Sequence, residues 1–420
     1  TINGSSPFEI YQSGRVVAFA TYGFYKYMHF DGEDGLFSDP YAKDEFGNLV
    51  GNVSGKLTEP GESGGVGVKY WLKSLDLVEG ETLLLNGALD DSDLGETESI
   101  RLQERFTLSA ELKGKGNLAI AEKSTVILGS PKTIYTIDSV NVDGGVTYHK
   151  PIQNAFTGST MVETNATLIS GIDGALGSSD KYTCSLQLEE KAAFYLQKHV
   201  QDIGHLNVET TALLDLSNEP KLEAIGNSNS SLNYSPDWGG SGGVLIVHNT
   251  LQREGETVSS VISGNIQGSS DSALIVDTGR MIINSENTEF YGDFELRKAA
   301  GLLNNPKALY QGRAILTTNS SLYFNSASAS LTRGVDPRSE AHIRAIQNAG
   351  DVFLSSGEDK VSNLNHVNVA EDYVGESGSV IHYRGLVQGA NNSYVDVIHS
   401  DTASGTSKVS FGDDHSKIPV

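Results

Sequence analysis

Short apolar runs of three to five residues recur along the whole chain, each closed at its ends by Gly, Asn, Ser or Asp. Neighbouring side chains of a strand point to opposite faces, so runs of this length bounded by turn residues predict short strands. The pattern predicts strands at Thr82–Leu85, Leu118–Ile120, Thr125–Leu128, Thr133–Ile137, Ala166–Ile169, Val244–Val247, Ala273–Val276, Met281–Ile283, Ala314–Leu316 and Ser321–Phe324. A loose Gly-x-apolar motif appears at Ser54-Gly55-Lys56-Leu57 and Asn86-Gly87-Ala88-Leu89, 32 residues apart. It returns at Ser263-Gly264-Asn265-Ile266 and Tyr291-Gly292-Asp293-Phe294, 28 apart. A second series, Asp143-Gly144, Asp173-Gly174 and Asp202-Ile203-Gly204, is spaced by 30 and 29.

About three strands fall in each such interval. One coil of three short strands cannot bury its own inner face, but coils stacked ~4.8 Å apart pair every strand and enclose a continuous interior. The expected fold is therefore all-β, a right-handed parallel β-helix (three-stranded solenoid) with an N-terminal cap. A sandwich also has many short strands but accounts less well for the long interval. Residues 1–50, with the aromatic cluster Tyr11, Phe19, Tyr22, Phe24, Tyr25, Tyr27 and Phe30, are expected to form the cap, an aromatic sugar-binding surface being the alternative. Residues 51–375 are expected to form coils with loop extensions. Asp336-Pro337 before residues 338–348 and Gly350 carries helix start and stop signals, predicting a short helix there; residues 190–201 are expected to be strand.

Composition narrows the function classes. Glycine occupies 46 positions and proline only 10, which suits many turns and not a disordered linker. The net charge of −23 removes nucleic acid as a partner. Residues 31–100 hold 16 Asp/Glu against four Lys, a solubilising surface, with cation binding or steering of a basic partner as the alternatives. The single cysteine, Cys184, rules out an internal disulfide and a thiolate metal site. No apolar run is long enough for a membrane helix, so no membrane insertion by this segment is expected. No basic-then-apolar leader opens the chain at Thr1, and a signal peptide is expected to be absent or already removed.

Candidate chemistry is thin. Gly61-Glu62-Ser63-Gly64-Gly65 spells a nucleophile elbow, echoed at Gly375–Ser379, but no strand-to-helix step follows and His29 is too near in sequence for a two-barrel protease. Gly114-Lys115-Gly116-Asn117-Leu118-Ala119 precedes a strand and lacks the helix that a phosphate site needs. Asp90, Asp91 and Asp93 resemble part of a calcium loop without its bidentate Glu, and the ten histidines form no metal motif. No cofactor, no metal and no catalytic residue is expected. Asp143, Asp173 and Asp202 could stand on neighbouring coils and, with Asn141 and Lys181, line a polar ligand-binding groove; an Asp-Gly turn is the simpler account of each Asp. The polygalacturonase motifs Asn-Thr-Asp, Gly-His-Gly and Arg-Ile-Lys are absent, which lowers the claim of a lyase or glycosidase.

The stretch 376–411 contains Gly389-Ala390-Asn391-Asn392-Ser393, then Asp396-Val397-Ile398, then Ser404-Gly405-Thr406-Ser407. It resembles the closing segment of pertactin-type autotransporter passenger domains, with Asn392, Ser393, Asp396, Ile398, Ser404, Gly405 and Thr406 matching that pattern. The resemblance implies autochaperone-like C-terminal rungs, a tail at 412–420 leading towards a translocator barrel, and export to the bacterial cell surface. Protease members carry an extra N-terminal domain for which the first 60 residues are too short, so the adhesin branch is expected. The implied partners are host glycosaminoglycans and fibronectin; self-association between cells and a secreted polysaccharide-cleaving enzyme are the alternatives.

Overall fold

The computed structural model describes residues 9–11, 15–19, 74–77, 79–80, 82–86, 105–108, 111–129, 154–177, 184–217, 242–325, 338–354, 364–383, 385–388, 392–395 and 397–411. Every regular element among the described residues is a strand. The chain forms two compact units, Thr1–Asp202 with Glu219–Gly240, and Ile203–Asn218 with Ser241–Val420.

In the first unit two parallel ladders climb through successive coils. One joins Arg15–Phe19, Thr82–Asn86, Asn117–Ile120, Thr160–Val162 and Ser185–Leu188. The other joins Arg105–Leu108, Thr125–Leu128, Thr167–Ser170 and Ala193–Tyr195. In-register stacking turns one side chain per strand into an interior column: Leu85, Ile120, Val162 and Leu188 on one ladder, Val126, Leu168 and Phe194 on the other, all fully buried. At the N-terminal side Glu9–Tyr11 folds back antiparallel on Arg15–Phe19. The aromatic residues at 22–30 and the acidic stretch around 90–93 lie outside the described residues.

The turns between ladders share one form. Residues 121–124, 163–166 and 189–192 each close an i to i+3 backbone bond, Ser124 N to Ala121 O, Ala166 N to Glu163 O and Ala192 N to Glu189 O. Their third residues, Lys123, Asn165 and Lys191, have φ of 63°, 59° and 59°. This is the left-handed conformation that the third position of a type II turn demands. Acid side chains brace one turn against the next: Glu163 Oε2 accepts from Glu122 N at 3.2 Å, and Glu189 Oε2 from Thr164 N at 3.1 Å.

The second unit repeats the plan. Its first ladder joins Val244–Val247, Ala273–Val276, Asp293–Leu296, Leu309–Leu316, Arg338–Asn348, Leu364–Tyr383 and Val397–Phe411, all parallel. The second joins His205–Val208, Ser260–Ile262, Gly279–Ile283, Ala299–Leu303, Ser321–Phe324, Asp351–Phe353 and the far half of Leu364–Tyr383. Leu245, Leu274, Phe294, Ala314 and Ile346 form one buried column, and Ile262, Ile283, Leu303 and Phe324 another. The same turn recurs at Glu209–Ala212, where Thr211 has φ 73°. A β-branched residue is the costliest choice there. Thr211→Asn, which tolerates that conformation, is expected to raise stability by about 1 kcal/mol in denaturant titration.

Two expectations need correction. The helix expected over 338–348 is the strand Arg338–Asn348. Its register shifts between Ile343 and Ile346, so two consecutive residues, Ala345 and Ile346, turn inward. That bulge stretches the inward spacing from two to three and imitates a helical period. The Gly264 and Gly292 motifs do not stack on each other: Asn265 pairs with Leu213, and Asp293 pairs with Ala273. Coils between Ala273 and Arg313 take only 20 residues, and excursions lengthen those on either side.

Near the C-terminus Leu364–Tyr383 and Val397–Phe411 run parallel through two corners, with the antiparallel hairpin Gly385–Gln388/Asn392–Val395 between them. Gly405 sits at one corner with φ 83°, where a Cβ would lie 1.9 Å from the Gly375 carbonyl oxygen. Only glycine fits there.

Candidate functional site: an outward apolar column with an amide ladder

Of the groove residues named from sequence, Asn141, Asp143 and Lys181 lie outside the described residues. Asp173 is in the first unit, its side chain 60% exposed. Its Oδ1 accepts from Val200 N at 2.9 Å and lies 3.2 Å from His199 Nδ1, while Gly174 N donates to Val200 O. Asp173 is thus level with His199 and Val200, not with Asp202. Asp202 is half-buried in the Val200–Ile203 strand, and its carbonyl oxygen accepts from the buried Cys184 Sγ at 3.4 Å. The carboxylate of Asp173 therefore clasps adjacent coils.

Burial holds the His199 imidazole below the usual histidine range, against the opposing pull of Asp173, and burial also lowers His205. A histidine whose folded pKa is depressed contributes stability above its unfolded value, near 6.5, and loses it as pH falls towards the folded value. His199→Gln is therefore expected to cost stability at pH 7, with the gap from the parent protein narrowing by pH 5. Melting temperatures of both proteins across that range check it.

The most regular feature of the second unit faces outward on its second ladder. Val261, Ile282, Leu302, Tyr323, Phe353 and His382 occupy equivalent positions on successive coils. Strand spacing of ~4.8 Å makes this column about 24 Å long. Its strands are apolar on both faces, since Met281 and Ile283, Leu322 and Phe324, and Val352 and Leu354 point inward and are buried. Sequence reasoning by alternation missed the column. The signal was available in the apolar triplets Met281-Ile282-Ile283, Leu322-Tyr323-Phe324 and Val352-Phe353-Leu354, which fill both faces of a strand.

Coil register dictates the packing within the column. The Tyr323 and Phe353 rings are 4.4 Å apart and 9° from parallel, and the Phe353 and His382 rings 4.1 Å apart and 4° from parallel. His382 Nε2 lies 2.9 Å from Asp351 Oδ1, tying two neighbouring coils of this ladder. Tyr323 is almost fully buried, and that burial raises its phenol above the ordinary range.

An asparagine ladder flanks the column. Asn325 Nδ2 donates to Asn304 Oδ1 at 2.9 Å, Asn304 Nδ2 to Asn284 Oδ1 at 2.7 Å, and Asn284 Nδ2 to Ser263 Oγ at 3.1 Å. All three amides point the same way, so each bond polarises the next. The other flank carries Arg280, Ala300, Ser321, Asp351 and Val380 in register.

Four cations of the unit are held by carboxylates. Arg313 grips Asp293 with two bonds of 2.8 and 2.6 Å, and Arg297 grips Glu295 with two of 2.6 and 3.1 Å. Lys307 lies 2.9 Å from Glu286, and Arg344 lies 3.3 Å from Glu371. Among the described residues no group of three or more His, Cys, Asp or Glu side chains could hold a metal ion. Comparison with family models, with curated proteins and with solved structures returns no match.

Proposed function

We propose that this chain is the passenger region of a pertactin-like autotransporter, wound as a right-handed three-stranded β-helix and displayed on a bacterial surface as an adhesin. Its role is to bind host extracellular-matrix components, glycosaminoglycans and fibronectin, along the coil faces, with no chemistry performed on them. The observation that carries this reading is the parallel pairing, coil on coil, of the second unit up to Val397–Phe411, the strand that holds Ile398 and Ser404-Gly405-Thr406. A stack of coils repeats the same outward positions at each step, so a long ligand meets the same group many times and weak contacts add.

Bacteria expressing the full-length gene are expected to expose this chain to added protease and to adhere to surfaces coated with fibronectin or glycosaminoglycan. Adherence no greater than that of non-expressing cells would overturn the adhesin reading. Clumping of cells without adherence would move the function to self-association.

A further inference from the structure

We infer that the outward column and its asparagine ladder form a binding site for a linear, uncharged polysaccharide lying along the stacking direction of the second unit. The inference rests on the reading of this chain as a surface-binding protein and names the ligand class of one face. The column breaks the usual rule for a solvated face, because its outward positions are apolar over successive coils. Val261, Ile282, Leu302 and Phe353 are half-buried and Tyr323 is closed off, so the column offers a ligand narrow apolar steps between polar flanks.

The amide ladder supplies the second half of the argument. An asparagine side chain has two donor hydrogens and two acceptor lone pairs. The ladder uses one donor and one acceptor of Asn284 and of Asn304. Each therefore keeps an amide N–H and a lone pair for a ligand, repeated every ~4.8 Å beside an apolar step. A sugar ring in an extended chain offers the matching set: a C–H face for the aliphatic side chains Ile282 and Leu302, and hydroxyls that both donate and accept.

Charge decides between polymers. The protein carries −23, so a sulfated or uronate chain binds only where local cations offset that charge. Beside the column the cation Arg280 stands in one row with the carboxylate Asp351, so this face presents no net positive charge to an anion. An extended peptide would seek a free strand edge, whereas the column's inner strands are paired on both sides.

The test is a glycan array followed by calorimetric titration of the purified full chain with neutral linear oligosaccharides of graded length. Affinity is expected to rise with length until the oligomer spans the column, and to persist in high salt. Leu302→Asp and Asn304→Ala are each expected to weaken it about tenfold, equal to 1.4 kcal/mol, with melting temperature and spectra confirming that the variants fold. Binding that neither variant alters, or that only charged glycans show, would overturn the inference. Fibronectin or glycosaminoglycan adherence without neutral-glycan binding removes the column's ligand and leaves the adhesin reading standing. Column-dependent binding of neutral glycans without adherence to matrix does the reverse. A protein ligand displaced by Leu302→Asp would also overturn the assignment to sugar.

Discussion

Phe290→Ala is expected to destabilise the protein by about 3–5 kcal/mol, the usual cost of deleting a buried phenyl ring. Phe290 is fully buried, with Gly268, Gly292 and Gly312 packed around its ring. A Cβ added at those glycines would stand 2.9 Å, 3.1 Å and 2.9 Å from ring carbons. The three glycines come from successive coils, since Gly268 bridges Phe290, and Asp293 beside Gly292 pairs with Arg313 beside Gly312. Backbone on three sides cannot collapse into the space the ring leaves, which places the loss at the high end of the range. Gly312→Ala tests the same slot from outside: it should destabilise alone, and Phe290→Leu should recover part of the loss. Urea titrations of the three proteins, read by midpoint and slope, measure this. Losses that simply add would show that the slot is not a shared constraint.

The second large effect concerns a buried amide standing where a strand would otherwise pair. Asn287 is 1% exposed. Its Oδ1 accepts from Ile266 N at 2.7 Å, and its Nδ2 donates to Ala308 O at 2.9 Å. One side chain thus satisfies a backbone donor on the preceding coil and a backbone acceptor on the following one. Asn287→Ala leaves both orphaned in a dry interior, at about 1–3 kcal/mol for each group. The expected total, about 2–6 kcal/mol, exceeds the value of any exposed ion pair in the molecule. Asn287→Asp separates the two halves: it keeps the acceptor for Ile266 N, abandons Ala308 O and adds a buried charge, so it should be no better than Ala at neutral pH and improve as pH falls. Asn287 and Phe290 share a turn, and their effects are not expected to be independent.

Much of the fold was legible in short-range pattern. Thr125–Leu128, Val244–Val247, Ala273–Val276 and Ser321–Phe324 stand where the apolar runs between turn residues place them. Their stacking into parallel ladders followed from the need to bury one face of each. Register was much less legible, because it depends on excursions that sequence does not size: Thr167 pairs with Ala193 26 positions on, but Thr125 with Thr167 42 positions on. The start and stop signals of Asp336-Pro337 and Gly350 suggested a helix over residues that run as a bulged strand. The turn residues Lys123, Lys191 and Thr211 gave no glycine signal for their left-handed backbone. The candidate site was hidden for a related reason. Asp173 looks like a rung when read by spacing, yet its bonds make it a clasp to Val200. The apolar column becomes visible only when coils of unequal length are laid over one another.

That overlay is the central claim, and distance measurement tests it directly. Asn207, Val261, Ile282, Leu302, Tyr323, Phe353, His382 and Ser410 are in register on successive coils of the second unit. With Cys184→Ser as background, spin labels at Asn207→Cys and Phe353→Cys span five steps, and labels at Asn207→Cys and Ser410→Cys span seven. Electron–electron resonance should give narrow distributions near about 24 Å and about 34 Å, equal increments of ~4.8 Å per coil. Distances that do not grow with the number of coils between the labels, or a broad distribution for either pair, would contradict the stacked-coil account.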